Sequence, residues 1–234
     1  MPKPRATTKP IPGSGNGCKY GRVTATRPPR ETVTGRFIRL EPYRAEHLPG
    51  LWTALGRPEV FEGGYGGGPA GLPTDEAAFR AWAPRYFPHR AGNTYVMIVQ
   101  GGPHDGEVVG ASSLADFDEV REHAHIGWTA FDPRVWGTQV NPEAKLLMLG
   151  VAFDHGYGRV KLQADERNSR SRAAIAKLGA TFEGIVRRDV LRADGTWRDT
   201  AVFSVLVDEW TAVKAALEAR LVPWGDRPVL FRSI

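Results

Sequence analysis

The segment that most narrows what this chain can become runs through Ile126-Gly127-Trp128-Thr129-Ala130-Phe131-Asp132-Pro133 and on into Trp136-Gly137-Thr138-Gln139-Val140-Asn141-Pro142-Glu143-Ala144. The first part reads as a strand that stops at an Asp-Pro turn. In the second, Pro142 suits the first turn of a helix, where its missing N–H is not needed. Ala144, Leu147, Met148, Val151 and Ala152 then recur at helical spacing, which predicts a helix over 142–155. A strand therefore feeds a loop into a helix N-terminus. Unpaired backbone N–H groups and the positive end of the helix dipole meet there, an arrangement able to hold a phosphate or diphosphate. Many such turns bind nothing, so on this feature alone a purely structural turn stays open.

The flanking text sets the architecture. From Thr34 the run Gly35-Arg36-Phe37-Ile38-Arg39-Leu40-Glu41 alternates apolar and polar side chains as a half-buried strand does. Helix-like text follows over 45–55, and the glycine-dense stretch 62–71 reads as a loop. Thr74-Asp75-Glu76 caps a helix that runs through Trp82. Residues 94–100, 108–114 and 124–131 are expected as three antiparallel strands, with a turn at His104-Asp105-Gly106. A short buried strand over 160–164 precedes a short helix over 171–178, closed by Gly179. Strands over 180–191 and 200–207 flank the turn Ala193-Asp194-Gly195. This order predicts an α+β domain on one mixed central sheet. The expected organisation is a flexible basic extension over 1–33, a domain over 34–212, and a C-terminal helix end and extension over 213–234.

Composition excludes some classes of function. The only cysteine, Cys18, has no partner for an intramolecular disulfide, which fits a cytoplasmic protein. No apolar run is long enough for a membrane span. The net charge of +5 suggests a nucleic-acid partner, but Lys3, Arg5, Lys9, Lys19, Arg22, Arg27 and Arg30 stand in the first thirty residues with no acid among them. The remainder is slightly acidic, and nucleic-acid binding is not expected of the domain.

The later text adds Arg159-Val160-Lys161-Leu162-Gln163-Ala164-Asp165, then Asn168-Ser169-Arg170-Ser171 and Lys177-Leu178-Gly179. At this point the chain resembles the GNAT superfamily of N-acetyltransferases, and within it the RimJ/RimL-like branch. There an Ile-Gly-aromatic strand, a phosphate loop entering a helix with Glu-Ala, an Asn-x-x-Ser and a Lys-x-Gly occur in this order. The resemblance implies a largely antiparallel sheet flanked by helices, whose fourth and fifth strands (124–131 and 160–164) splay apart. It further implies acetyl-CoA as co-substrate, with no metal ion and with a primary amine on a protein N-terminus or a small molecule as acceptor. A homodimer stays open. Ala130 and Phe131 would pair with the pantetheine amides, Thr138, Gln139, Val140 and Asn141 would offer N–H groups to the diphosphate, and Asn168 and Ser171 would sit beside the thioester. The loop departs from the family's Gln/Arg-x-x-Gly-x-Gly/Ala at three places, with Trp136 at the basic position and Gln139 and Asn141 at the small ones.

For the proton transfers, His125 stands where the branch often carries Glu, and imidazole suits a general base near neutrality. His123 lies two residues away. The Tyr that many family members use as general acid is replaced by Ile175, and Ser171 could instead donate to the departing thiolate. For the acceptor, the acidic run Asp116, Asp118, Glu119 and Glu122 and the wall around Glu62, Phe61, Tyr65 and Trp82 are candidates, and a solvated surface loop is the alternative for the acidic run. A protein that binds acyl-CoA through the same fold without transferring the acyl group remains the competing reading.

Overall fold

A computed structural model describes residues 25–233. Eight strands form one sheet: β1 (Val33–Thr34), β2 (Ile38–Pro42), β3 (Asn93–Val99), β4 (Val108–Asp118), β5 (His123–Phe131), β6 (Arg159–Asp165), β7 (Thr181–Leu191) and β8 (Trp197–Leu206). Their spatial order is β1-β2-β3-β4-β5-β6-β8-β7, and only β5 and β6 run parallel. The expected mixed, largely antiparallel sheet is observed. The brief β1, not foreseen, moves the expected fourth and fifth strands to β5 and β6.

Burial explains the order. Every residue of β3, the run Asn93-Thr94-Tyr95-Val96-Met97-Ile98-Val99, is buried, so this strand can only be internal. β7 is exposed along most of its length and closes the opposite edge. Helices α1 (Leu48–Leu55), α2 (Pro58–Glu62) and α3 (Glu76–Tyr86) cover one face, packing Leu51, Phe61 and Phe79 against Val96, Ile98, Ala111 and Ala130. Helices α4 (Val140–Asp154) and α6 (Val207–Leu221) cover the other, with Met148, Leu149 and Leu217 against Leu40, Met97, Ile126 and Leu162. Each such buried side chain contributes about 1.5–3 kcal/mol by leaving water. Helix α5 (Ser169–Ala176) follows β6 and buries Ile175 in the second core.

Several boundaries differ from the expectation. Asp75 caps α3 as predicted, its Oδ1 accepting Ala78 N–H at 2.8 Å, but the helix passes through Pro84 to Tyr86. Helix α4 begins two residues before Pro142, and α6 crosses the boundary drawn at 212. The packed body also extends past both ends of 34–212. Ala25 and Val229 are buried in the main core, Asn93 Nδ2 donates to Pro28 O at 3.0 Å, and Arg27 lies over the Phe117 ring. The expectation for residues 1–24, which include Cys18 and most of the basic tail, falls outside the described residues. No helix among the described residues is long and apolar enough to cross a membrane.

Candidate active site

β5 and β6 pair at four positions only, from His123 opposite Arg159 to Ile126 opposite Leu162. Beyond them β5 stays with β4 and β6 with β8, so the two strands part. A bulge drives the parting. The β4–β5 register shifts between Ala111 and Ser113, leaving Trp128 and Thr129 out of the ladder, and Trp128 takes a φ of 51°. An extra residue in one strand bends it and increases its twist. The opening is a cleft of about 490 Å³, walled by Gly127–Phe131 on one side and Leu162–Asp165 on the other. Ala130 and Phe131 line it, on an edge that no strand covers among the described residues, although Phe131 O accepts the Trp136 Nε1–H at 3.0 Å.

At one end of the cleft lies the loop that enters α4. Gly137 has a φ of 74°, the left-handed conformation that glycine adopts at least cost. Gln139, at a position where the family has a small residue, has a φ of −65° and a buried side chain, so the conformation here does not demand glycine. Thr138 N–H donates to Val135 O at 3.3 Å and Val140 N–H to Thr138 Oγ1 at 3.4 Å. The N–H groups of Gly137, Gln139 and Asn141 meet no acceptor among the described residues. The C-terminal segment folds back onto this loop: Arg232 N–H donates to Arg134 O at 3.0 Å, and its guanidinium lies over Gly137. A cation therefore stands beside a loop whose own basic position is Trp136. Arg170, on α5, stacks over that Trp136 ring at 3.4 Å and links the two lips of the cleft.

His125 lies on the α1–α3 face of β5, its ring 5.2 Å from that of Trp128. Its Nδ1 is 2.9 Å from Asp116 Oδ2, and its Nε2 is buried with no partner among the described residues. Burial lowers the histidine's pKa below 6.5, against the opposing pull of Asp116, so the ring is neutral at pH 7. The hydrogen bond from His125 in turn holds the Asp116 carboxyl below its ordinary range. A carboxylate on Nδ1 fixes the tautomer and leaves the lone pair on Nε2. Asp116 reaches this place because it sits in a second β4 register shift with a φ of 51°. As part of an acidic run it gave no sign of this role.

On the α4 face, Lys145 also lines the cleft; it donates from Nζ to Thr129 Oγ1 at 3.1 Å, and that hydroxyl is 2.6 Å from Ser112 Oγ. Lys145 is 5% exposed and has no carboxylate within ion-pair reach among the described residues. Burial alone pulls its pKa down to about 7. Sequence reasoning passed over it, although a lysine beside Ala144 and Met148 on a buried helix face was the available signal. Its neighbour Glu143 is also buried, but satisfied: its carboxylate accepts the N–H groups of Arg36, Phe37 and Ile38 at 2.6, 2.8 and 2.8 Å and so ties α4 to the start of β2.

Asn168 lines the cleft with both ends of its amide engaged. Oδ1 caps α5 by accepting Ser171 N–H at 2.9 Å, and Nδ2 donates to Gly63 O at 2.6 Å, fastening the glycine-rich loop to the helix. Ser171 and Ile175 face the same cleft. Its far end is formed by Tyr65, Tyr86, Asp165, Arg192 and Arg198, with the β7–β8 turn held to the glycine-rich loop through Ala193 N–H on Gly67 O at 3.1 Å. Among the other aromatics expected there, Phe61 is fully buried in the core and Trp82 stacks on Tyr86 at 4.4 Å.

A bulged, splayed parallel pair beside a loop that enters a helix defines a class, and comparison with known proteins agrees. Residues 38–181 match the acetyltransferase (GNAT) domain family, and the chain belongs to it. It is 32% identical over 119 residues, 50% of this chain, to YdaF of Bacillus subtilis (strain 168), whose assignment as a ribosomal N-acetyltransferase is provisional; the match spans 63% of YdaF. A GCN5-related N-acetyltransferase from Brucella melitensis superposes with a TM-score of 0.77 at 30% identity, covering 86% of this chain and 89% of that one. The fold is also that of RimL, a ribosomal L7/L12 α-N-protein acetyltransferase solved with coenzyme A, with a TM-score of 0.62 at 16% identity over 76% of this chain and 99% of RimL.

Proposed function

We propose that this chain transfers the acetyl group of acetyl-CoA to a primary amine by direct attack within a ternary complex. The observation that carries the reading is the Asp116–His125 pair, whose unpartnered Nε2 belongs to a cleft formed by parting strands. The site suits acetyl-CoA: open N–H groups at Gly137, Gln139 and Asn141 and the Arg232 guanidinium suit the diphosphate, and the strand edge at Ala130 and Phe131 suits the pantetheine amides once the Trp136 indole gives up Phe131 O. Thr138 and Val140 shape the loop, and Asn168 holds α5 and the glycine-rich loop in register.

The chemistry joins the amine nitrogen to the thioester carbonyl carbon and releases the thiol. His125 Nε2 takes the proton from the attacking amine, and the neutral ring that burial enforces is the form able to do so. Backbone N–H groups at the Trp128–Thr129 bulge face the developing oxyanion. Ser171 donates a hydrogen bond to the departing sulfur, which leaves as thiolate and takes up the proton that His125 releases. Holding amine and thioester together supplies much of the rate.

The names of YdaF and RimL favour a protein N-terminus as the acceptor, in the cytoplasm. For a homodimer we point to the outer edge of the sheet, where Phe182, Val186 and Leu191 are exposed; sedimentation of the full chain tests this. The function itself is tested by thiol release from acetyl-CoA with a panel of amines, alongside calorimetric titration. Release that depends on both amine and His125 supports transfer. Saturable binding without release leaves an acyl-CoA-binding protein.

A further inference from the structure

The far end of the cleft is rich in hydrogen-bond donors and poor in acceptors. Arg198, on β8, uses Nε to reach Thr200 Oγ1 at 3.0 Å, while its Nη2 is shut off from solvent and meets no acceptor among the described residues. The Tyr65 hydroxyl is likewise buried without a partner. The Tyr86 oxygen accepts Gly66 N–H at 3.2 Å, and its own hydrogen remains to be placed. Burial pushes the Tyr86 phenol up to about 12, so it keeps that hydrogen at neutral pH.

The nearby carboxylates do not balance this surplus. Asp165 accepts Arg192 Nη2 and Nε at 2.6 and 3.1 Å and Arg167 N–H at 3.0 Å, so its charge is matched by Arg192. Arg192 in turn donates to Trp197 O at 2.7 Å. Asp165 and Asp189 both lie near enough for Arg198 to feel their charge, but neither makes an ion pair with it within 4 Å, and Asp189 is exposed. A guanidinium with one nitrogen shut off from solvent and two phenols therefore line a cavity whose one carboxylate among the described residues, Asp165, is taken up by Arg192. A buried donor left unmet is costly, and a guanidinium matches a carboxylate in two parallel hydrogen bonds.

From this geometry we propose that Arg198, with Tyr65 and Tyr86, forms a carboxylate-binding subsite for the acceptor, so that the preferred amine carries a carboxylate a few bonds from the nitrogen. The proposal rests on the acetyl-transfer reading and names its substrate class. The position agrees with that use, since Arg198 neighbours Tyr86 on the α1–α3 side, the side on which His125 and Trp128 lie. The same chemistry comes from two sources: the α-carboxylate of a free amino acid, or an acidic side chain at the second or third residue of a peptide.

The test uses the full chain, acetyl-CoA and matched acceptors: free amino acids against their amides, and peptides with Glu against Gln at positions two and three. The carboxylate member of the productive pair is expected to win by about tenfold to a hundredfold in kcat/KM, mainly through KM. In Arg198→Gln that advantage disappears while acetyl-CoA affinity holds, and Arg198→Lys restores part of it. Whichever arm shows the advantage identifies the source. Equal rates for carboxylate and amide members in both arms overturn the subsite, and that comparison needs only the wild-type protein. A preference that survives Arg198→Gln also overturns it. Transfer without preference sinks this proposal alone, whereas no transfer to any amine sinks acetyl transfer as well.

Discussion

Two buried bases line the cleft from opposite faces of β5, His125 on the strand itself and Lys145 on α4. On the α1–α3 face, His125 has Asp116 at 2.9 Å, and the histidine lines the cleft. On the α4 face, Lys145 has only the Thr129 hydroxyl at 3.1 Å and no carboxylate. Burial pulls both pKa values down, but the histidine keeps a group that orients it, whereas the lysine keeps only a neutral oxygen. The difference teaches that burial alone makes a neutral base, and that a second group is needed to aim it.

The largest expected effect tests the aimed base. His125→Gln should lower kcat by about 10²–10⁴-fold, the usual worth of a positioned proton acceptor, with acetyl-CoA affinity unchanged by calorimetry. The wild-type rate should also fall on the acid side, below pH 6.5, as the ring protonates. In the variant that limb should vanish.

Next comes the unaimed base. A lysine titrating near 7 when folded and near 10 when unfolded leaves both states protonated below about pH 7, where the full cost of burying the charge applies. Between those values the unfolded chain binds the extra proton, so stability rises with pH, at most by about 1.4 kcal/mol per unit. Chemical denaturation of the wild type at pH 7 and pH 9 should show that gain, and Lys145→Met should remove it. A wild-type profile as flat as the variant's would place Lys145 in contact with an anion or water.

Asp116→Asn separates aiming from burial. Asparagine tolerates the positive φ of 51° but binds the ring without a charge, so the tautomer is no longer enforced. A loss of about tenfold or more in kcat with unchanged stability is expected from steady-state rates and thermal melts. The smallest effect concerns the lip of the cleft. Asn168→Ala removes the α5 cap and the bond to Gly63, costing about 1 kcal/mol in a melt, and should raise KM for the acceptor.

The Asn168 result sharpens what was legible. Asn168-x-x-Ser171 is legible as a motif beside the cleft, but its spacing does not tell that it is also a helix cap whose amide binds a loop more than a hundred residues earlier. A motif names a residue's place more readily than its partner. The departures at Gln139 and Asn141 from the family's small residues fall where the chain needs no glycine. The backbone there is helical, and the left-handed residue is Gly137.

The sequence by itself determined the order of elements, the mixed sheet, the strand-loop-helix that opens the site and the place of His125, because alternation, helical spacing and caps are local. It did not determine that Asp116 leaves an exposed acidic run to hold His125, that Lys145 lines the cleft without a carboxylate, or that Arg198 lines the same cleft while Arg232 stands beside the loop at Gly137. Those pairings join residues from different strands, helices and the C-terminal segment. Only tertiary packing, through two register shifts in β4 and the parting of β5 from β6, brings them together.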